Sequence, residues 1–251
     1  VGGGSYSYSF KAQVPEGASG TWAVGIEGYI EPVVQKFGGK TETVRDAGFN
    51  SVMYSAVTDA VAMPRKTSVA RSNCNQCHQD LGDPAGMSIH GGIRRNTEYC
   101  VLCHNPNHTD EARRPADQMP PASVDFKRLI HRIHTGEEGE DSYVVYGFGG
   151  NAVDFGEIRF PGDRRNCEKC HLPGSNLVNF LHVGAQPVVV QQAGKVVQTI
   201  QPLTAACTAC HTSQKAKDHA ALQTTPQGSE TCIICHGEGA DFPVSKVHAR
   251  P

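Results

Sequence analysis

Apolar residues are sparse along this chain, and their spacing divides it into two unlike parts. Near the start, Tyr6, Tyr8 and Phe10 alternate with Ser5, Ser7 and Ser9, the period of two that marks a half-buried strand. From Thr21 to Val33, Trp22, Val24, Ile26 and Ile30 fall at even spacing, with Gly25 and Gly28 between them. Ser51 to Val57 reads as a third strand and Thr41 to Val44 as a weaker fourth. Together they predict a small antiparallel β domain over residues 1–65, a meander of three or four strands, with Pro64 at its boundary. Helical spacing enters only later. Pro120 and Pro121 lead to Ser123, a good N-cap residue; Phe126, Leu129, Ile130 and Ile133 then share one face, and Gly136 closes the run. A second helix is predicted over Thr204 to Leu222. Tyr143 to Phe160, rich in Gly, and Gln186 to Ile200, with Val188, Val189 and Val190, read as extended excursions or hairpins.

The chemistry sits in the cysteines. All ten fall in five Cys-x-x-Cys-His motifs: Cys74–His78, Cys100–His104, Cys167–His171, Cys207–His211 and Cys232–His236. This is the attachment signature of a c-type haem. Two thiols form thioethers with the porphyrin vinyl groups, and the histidine ligates iron on the proximal face. Structural zinc and thiol redox chemistry also use Cys-x-x-Cys. Neither requires a histidine after the second cysteine five times out of five, nor does a disulfide framework. The expected cofactors are therefore five haems c, bound covalently by Cys74, Cys77, Cys100, Cys103, Cys167, Cys170, Cys207, Cys210, Cys232 and Cys235. His78, His104, His171, His211 and His236 are the proximal iron ligands.

That reading explains the missing apolar runs. The 178 residues from Arg71 to His248 leave about 36 per motif, too few to build a side-chain core around each haem. Residues 66–251 are thus expected to be a pentahaem domain, mostly irregular, with a few α-helices packed on porphyrins, and folding should depend on haem attachment. The formal charge is −2, and haem propionates would make the protein more acidic. Arg71, Arg94, Arg95, Arg164 and Arg165 cluster just before three motifs, where guanidinium could pair with propionates. No basic stripe suggests nucleic acid, and no stretch suits a transmembrane helix. No signal peptide or lipid-attachment cysteine occurs, so Val-Gly-Gly-Gly reads as a mature or truncated terminus. Haem is joined to thiols outside the bacterial cytoplasm, so the expected location is periplasmic or cell-surface, not cytoplasmic.

Seven histidines remain beyond the motifs: His90, His108, His131, His134, His182, His219 and His248. Five could serve as distal ligands. His131 and His134 leave one helix face with Cβ atoms about 5–6 Å apart. They cannot grip opposite sides of one iron, but they can reach two neighbouring irons. His90 precedes Gly91 and Gly92, which let backbone approach a porphyrin. His90 and His248 each lie twelve residues past a motif histidine, His78 and His236. On a continuous helix His219 would rise about 12 Å beyond His211, which suits a different iron. His108, in a tight Asn-Pro-Asn turn, and His182, in an apolar segment, rank as spare. Met87 is an alternative to His90, and a thioether ligand would raise that haem's potential.

Several segments carry a family resemblance. His90-Gly-Gly-Ile-Arg-Arg-Asn-Thr-Glu-Tyr-Cys100-Val-Leu-Cys103-His104-Asn-Pro-Asn, Val124-Asp-Phe-Lys-Arg-Leu-Ile-His131-Arg-Ile-His134-Thr-Gly-Glu, Phe160-Pro-Gly-Asp-Arg-Arg-Asn-Cys167 and Glu230-Thr-Cys232-Ile-Ile-Cys235-His236-Gly resemble the outer-membrane multihaem cytochromes of metal-respiring bacteria, the decahaem MtrC and OmcA type. Gly20-Thr-Trp-Ala-Val-Gly-Ile-Glu-Gly-Tyr29 resembles the end of that family's split β-barrel. The chain resembles one pentahaem half with part of the preceding barrel. It departs from the pattern in having five motifs rather than ten, one partial β region, and no cysteine pair for a barrel disulfide. The resemblance implies bis-histidine haems with His90, His131, His134, His219 and His248 as distal ligands. It also implies electron transfer from an outer-membrane conduit or other cytochromes to extracellular acceptors such as metal oxides or flavins, as in dissimilatory metal reduction.

The expected function is electron transport by a short haem wire, at most a non-specific outer-sphere metal or flavin reductase. A haem enzyme with one open iron is the second reading. No Cys-x-x-Cys-Lys occurs, which removes the lysine-ligated nitrite-reductase signature. A polymeric cytochrome filament, with His248 donated to a neighbouring subunit, is the third.

Overall fold

The computed structural model describes residues 7–83, 86–181 and 184–249. The first part is one long interrupted hairpin rather than a meander. β1 (Thr21–Ile26) pairs antiparallel with β6 (Ser51–Ala56) over its full length. Inside that pair, β2 (Tyr29–Ile30) meets β5 (Asp46–Ala47), and β3 (Val33–Gln35) meets β4 (Thr41–Thr43). Gly38 and Gly39, both at positive φ, close the tip, where glycine avoids the Cβ clash of that conformation. Each strand has a single partner, and no closed barrel forms among the described residues.

The face that packs is also not the expected one. Trp22, Val24 and Ile26 point outward, with Ile26 68 % and Met53 70 % exposed. The opposite face, with Gly25 beside Val52 and Ala23 beside Tyr54, turns toward helix α2 (Thr97–Cys103). Gly25 is required there, since a Cβ would come within 2.5 Å of a Leu102 methyl and 2.6 Å of the Tyr99 ring. Alternation located the strand, but the half-buried face is the one that carries Gly25, Val52 and Tyr54. The expected strand around Tyr8 and Phe10 does not form: residues 7–10 have no regular structure, and both rings are exposed. Tyr6 lies outside the described residues.

From residue 66 onward, short helices alternate with turns and two hairpins. α1 (Arg71–His78) and α2 carry the first two motifs. α3 (Phe126–Thr135) matches the expected helix except at its start. Asp125, not Ser123, is the N-cap and accepts from Arg128 N at 3.3 Å. Ser123 instead accepts the Asp125 amide one step earlier, at 3.2 Å. Gly136 ends the helix at φ 47, where a Cβ would stand 1.9 Å from the Ile158 carbonyl oxygen.

The single helix expected over Thr204 to Leu222 is two, α4 (Pro202–Cys210) and α5 (Gln214–Leu222). His211 leaves helical geometry at ψ 77, and the Ser213 hydroxyl caps a new helix by accepting from Ala216 N. A serine placed to satisfy orphan amides can restart a helix as readily as it starts one. α6 (Ile233–His236) and α7 (Val244–Val247) complete the set. The hairpins pair β7 (Val144–Tyr146) with β8 (Ala152–Asp154), and β9 (Val188–Gln192) with β10 (Lys195–Ile200).

Side chains alone give this chain little interior. One buried apolar cluster joins Val188, Ile200 and Ala205. The accessible surface is 16367 Å², against about 10,800 Å² for a well-packed monomer of this mass. The excess is surface that the chain's own residues do not cover.

Candidate functional site

Ten histidines form five opposed pairs, each uniting one motif histidine with one outside the motifs. Ring centroids are 5.9 Å apart for His78 and His134, 6.0 Å for His104 and His90, and 5.9 Å for His171 and His131. They are 6.0 Å apart for His211 and His248, and 6.2 Å for His236 and His219. An iron bound by two imidazoles at about 2 Å each separates ring centroids by roughly 6 Å. The donor set therefore suits an iron between each pair, with two cysteine thiols four and one residues before the motif histidine. Among the described residues, no three of His, Cys, Asp or Glu converge as a cage for a metal ion. Donors in opposed pairs are wrong for tetrahedral zinc. No disulfide joins any of the ten cysteines, all of which lie among the described residues. Burial lifts the Cys100 thiol to about 11, whereas redox-active thiols stand low.

Ring orientation is set one bond further out. Nδ1 of His104 donates to the Val124 carbonyl at 2.9 Å, that of His134 to Ile130 at 2.8 Å, and that of His248 to Val244 at 3.1 Å. Nδ1 of His236 meets the Phe242 carbonyl at 3.0 Å, and that of His171 the Ser175 hydroxyl at 3.2 Å. A donor bond at Nδ1 fixes the tautomer and leaves Nε2 free as a ligand. Burial lowers the pKa of His78, His90, His104, His171 and His211, and it pushes His131 down to about 4. Neutral imidazole is the ligating form.

α3 is the central support. His131 faces the third motif and His134 the first, so one helix face serves two pairs. The two motifs are also joined directly: Ala70 N donates to the Cys170 carbonyl at 3.3 Å, and Lys169 Nζ to Gln76 Oε1 at 2.7 Å. α3 is tied to the fourth motif by the Thr135 hydroxyl, which donates to the Ala209 carbonyl at 3.0 Å. The fourth and fifth motifs share Glu230, whose carboxylate receives the Leu203 and Thr204 amides at the start of α4. Thiols of neighbouring motifs lie near one another in the same sequence: Cys100 by Cys74, Cys74 by Cys170, Cys167 by Cys210, and Cys207 by Cys232. The motifs thus run second, first, third, fourth, fifth in space.

A family profile, outer membrane cytochrome MtrC/MtrF-like, domains II/IV, matches residues 66–249. The chain belongs to this family. No curated protein matches it. Membership makes it an outer-membrane cytochrome domain of electron transfer and implies c-type haems. Among the described residues, no helix is long and apolar enough to cross a membrane.

Other expected features fall differently. The twelve-residue spacing does not pair histidines: His90 faces His104 rather than His78, and His248 faces His211 rather than His236. His108 stands exposed in its turn, with Nδ1 against the Cys103 carbonyl. His182 lies outside the described residues. Met87 is partly exposed, and its amide donates to the His78 carbonyl. The arginines before the motifs also engage protein carboxylates: Arg71 with Asp80, Arg94 with Glu27, Arg95 with Asp83, Arg164 with Glu138 and Arg165 with Asp163. Sequence reasoning missed Ser175, whose signal was its place four residues after His171. It also missed Asn50, which carried no local signal at all.

Proposed function

We propose that this chain is an electron-transfer protein with five closely spaced bis-histidine c-type haems. The observation that supports it best is that all five motif histidines face a non-motif histidine at 5.9–6.2 Å. His78, His104, His171, His211 and His236 are the proximal ligands, partnered by His134, His90, His131, His248 and His219 respectively. When bound, the haems supply one-electron chemistry through ferric and ferrous iron. The chain's part is to tether porphyrins through ten thiols and to hold ring pairs at fixed spacing. Burial also favours the neutral form of His78, His90, His104, His131, His171 and His211, and the chain supplies the walls between neighbouring pairs. His131 and His134, three residues apart on α3, keep the first and third pairs adjacent.

The spatial order of motifs supports a path with the second motif at one end and the fifth at the other. Residues 66–251 form the pentahaem domain and residues 1–65 a separate β domain, a division supported by the family match beginning at residue 66. On the outer face of the outer membrane, electrons would pass from a conduit or partner cytochrome to metal oxides, flavins or other cytochromes. A reductase with an open iron fits less well, because no motif histidine lacks an opposed ring. A filament that borrows His248 fits less well too, because His248 faces His211 of its own chain.

Intact mass and ferric electron paramagnetic resonance of the purified holoprotein test the proposal. Five thioether-linked haems and low-spin signals alone are expected. Fewer haems, or a high-spin ferric signal worth one iron or more, would overturn it.

A further inference from the structure

We infer that Asn50, in the β region, is a positioning residue for the second motif's haem, holding the His90 segment and the helix of Cys100, Cys103 and His104 in one register. The inference rests on the reading of His90 and His104 as that haem's two ligands.

Asn50 is 1 % exposed, unusual for a residue at a strand's edge, and both polar atoms of its side chain are used across a long sequence gap. Its Nδ2 donates to the Ile93 carbonyl at 2.9 Å. Its Oδ1 accepts the Arg95 amide at 2.7 Å and the Asn96 amide at 3.3 Å. Its own carbonyl accepts Asn96 Nδ2 at 3.1 Å. Asn96 is the N-cap of α2 and accepts the Glu98 amide at 3.0 Å. A single buried amide therefore grips the three-residue joint between a distal ligand and the start of a proximal helix.

The joint needs such a grip. His90, Gly91 and Gly92 all hold positive φ, at 48, 72 and 77°. Histidine in this region carries a steric cost that glycine does not, so the segment would relax unless fixed from outside. Two further contacts press the β hairpin onto the same place. Arg94 donates to both Glu27 oxygens, at 2.8 and 3.1 Å, and Gly25 lies against Tyr99 and Leu102 of α2. Glu27 links Arg94 to Tyr99 of α2, but Asn50 bonds the backbone on both sides of Arg94, so its loss should move one ring of the pair relative to the other.

The test compares holoprotein variants Asn50→Ala, Asn50→Asp and His90→Ala by intact mass, ferric electron paramagnetic resonance and spectropotentiometric titration. In Asn50→Ala, five haems remain attached, one haem shifts in potential or gains high-spin character up to about one fifth of the iron, and the other four keep their wild-type values. Asn50→Asp retains the acceptor for the Arg95 and Asn96 amides but turns an oxygen toward the Ile93 carbonyl in place of the donor, so it shifts the same haem. His90→Ala converts that haem fully. Asn50→Ala matching wild type, or shifting all five haems together, would overturn the inference. Should Asn50→Ala yield no folded protein, Asn50→Asp decides by the same criteria. If His90→Ala leaves every iron low-spin, the ligand reading itself has failed. If His90→Ala converts one haem and the Asn50 variants none, only the clamp has failed.

Discussion

The β hairpin and the domain that follows it satisfy their polar groups in opposite ways. Between Thr21 and Ala56 the backbone pairs with itself, and ion pairs such as Glu31 with Arg45 lie exposed. After residue 66, strands are few and polar side chains go inside: Asp110, Asp125, Arg132, Thr135, Thr208 and Thr212 are all buried. Those residues hold ligand-bearing segments to one another, as Thr135 holds α3 to α4. A domain whose interior is supplied by porphyrin cannot rely on apolar packing to place its histidines. It uses buried hydrogen bonds instead, which are directional and costly to break. The contrast teaches where each region is vulnerable: the second to loss of cofactor and of polar knots, the hairpin only where Asn50 joins it to the second.

The sharpest way to break this comparison is to withhold haem. A chain expressed without the haem-attachment machinery should lose more than half of its helical far-ultraviolet circular dichroism. Limited proteolysis should then cut throughout residues 66–249. The apolar cluster of Val188, Ile200 and Ala205 is far too small to offset the entropy of ordering so long a chain. Helix content equal to that of the holoprotein would mean that side chains alone build this domain.

Asp110 gives the next largest effect. Its carboxylate accepts from Arg114 Nε and Nη2, from the Ala122 amide at 2.8 Å and from the Tyr146 amide at 2.9 Å. The Asp110 side chain is 1 % exposed and that of Arg114 8 %. Asp110→Ala leaves a buried guanidinium and two amides without their acceptor, a loss of about 3–5 kcal/mol. Denaturant unfolding of the holoprotein should show it, with five haems still attached. A change below about 1 kcal/mol would place this ion pair in the same class as the hairpin's exposed ones.

What was legible beforehand follows the same division. The motif cysteines and histidines were readable because covalent attachment demands a fixed local pentapeptide. His131 and His134 were readable as serving two sites because helix geometry is local. Which distal histidine meets which motif was not, since pairing depends on how separate segments pack. The twelve-residue spacing of His90 and His248 was misleading for that reason. In the hairpin, alternation located β1 and β6 but not the inward face, because Tyr99 and Leu102 lie far along the chain. Asn50 had no local signal, since every partner sits more than forty residues away. The break at His211 was missed because Ser213 reads equally well as helix interior or as a cap.

Acid should separate the regions more gently. Asp141 links the buried Arg132 side chain, 4 % exposed, to Lys217. Burial alone would raise its pKa, but the charge of Arg132 and the hydrogen bonds from Lys217 and Arg132 outweigh burial and lower it. A carboxylate depressed in the folded state stabilises above its unfolded value, and that contribution disappears as pH falls through the folded value. Stability should therefore decline below the ordinary aspartate value of 3.8. Asp141→Asn should flatten that limb and cost about 1–2 kcal/mol at neutral pH, since half of the Asp141 side chain meets solvent. An unchanged acid limb in the variant would remove Asp141 from the knots that hold this domain.

The smallest effect belongs to the hairpin. Arg45 donates to Glu31 at 3.0 and 3.2 Å and lies 4.5 Å from the centroid of the Tyr29 ring. Both side chains of the ion pair are well exposed, 39 % and 47 %, so water and salt screen the pair and compete for each partner. Arg45→Ala should change unfolding free energy by less than about 1 kcal/mol, an effect that raised salt reduces further. Its spectrum and potentials should stay close to wild type, because the Arg45 guanidinium lies beside Gly91 without a hydrogen bond to the segment between His90 and Asn96. If Arg45→Ala instead shifted one haem, the whole hairpin and not Asn50 alone would be gripping that site. The contrast between exposed pairs that support only the hairpin and buried polar knots that hold the haem-side segments would then have to be redrawn within the hairpin.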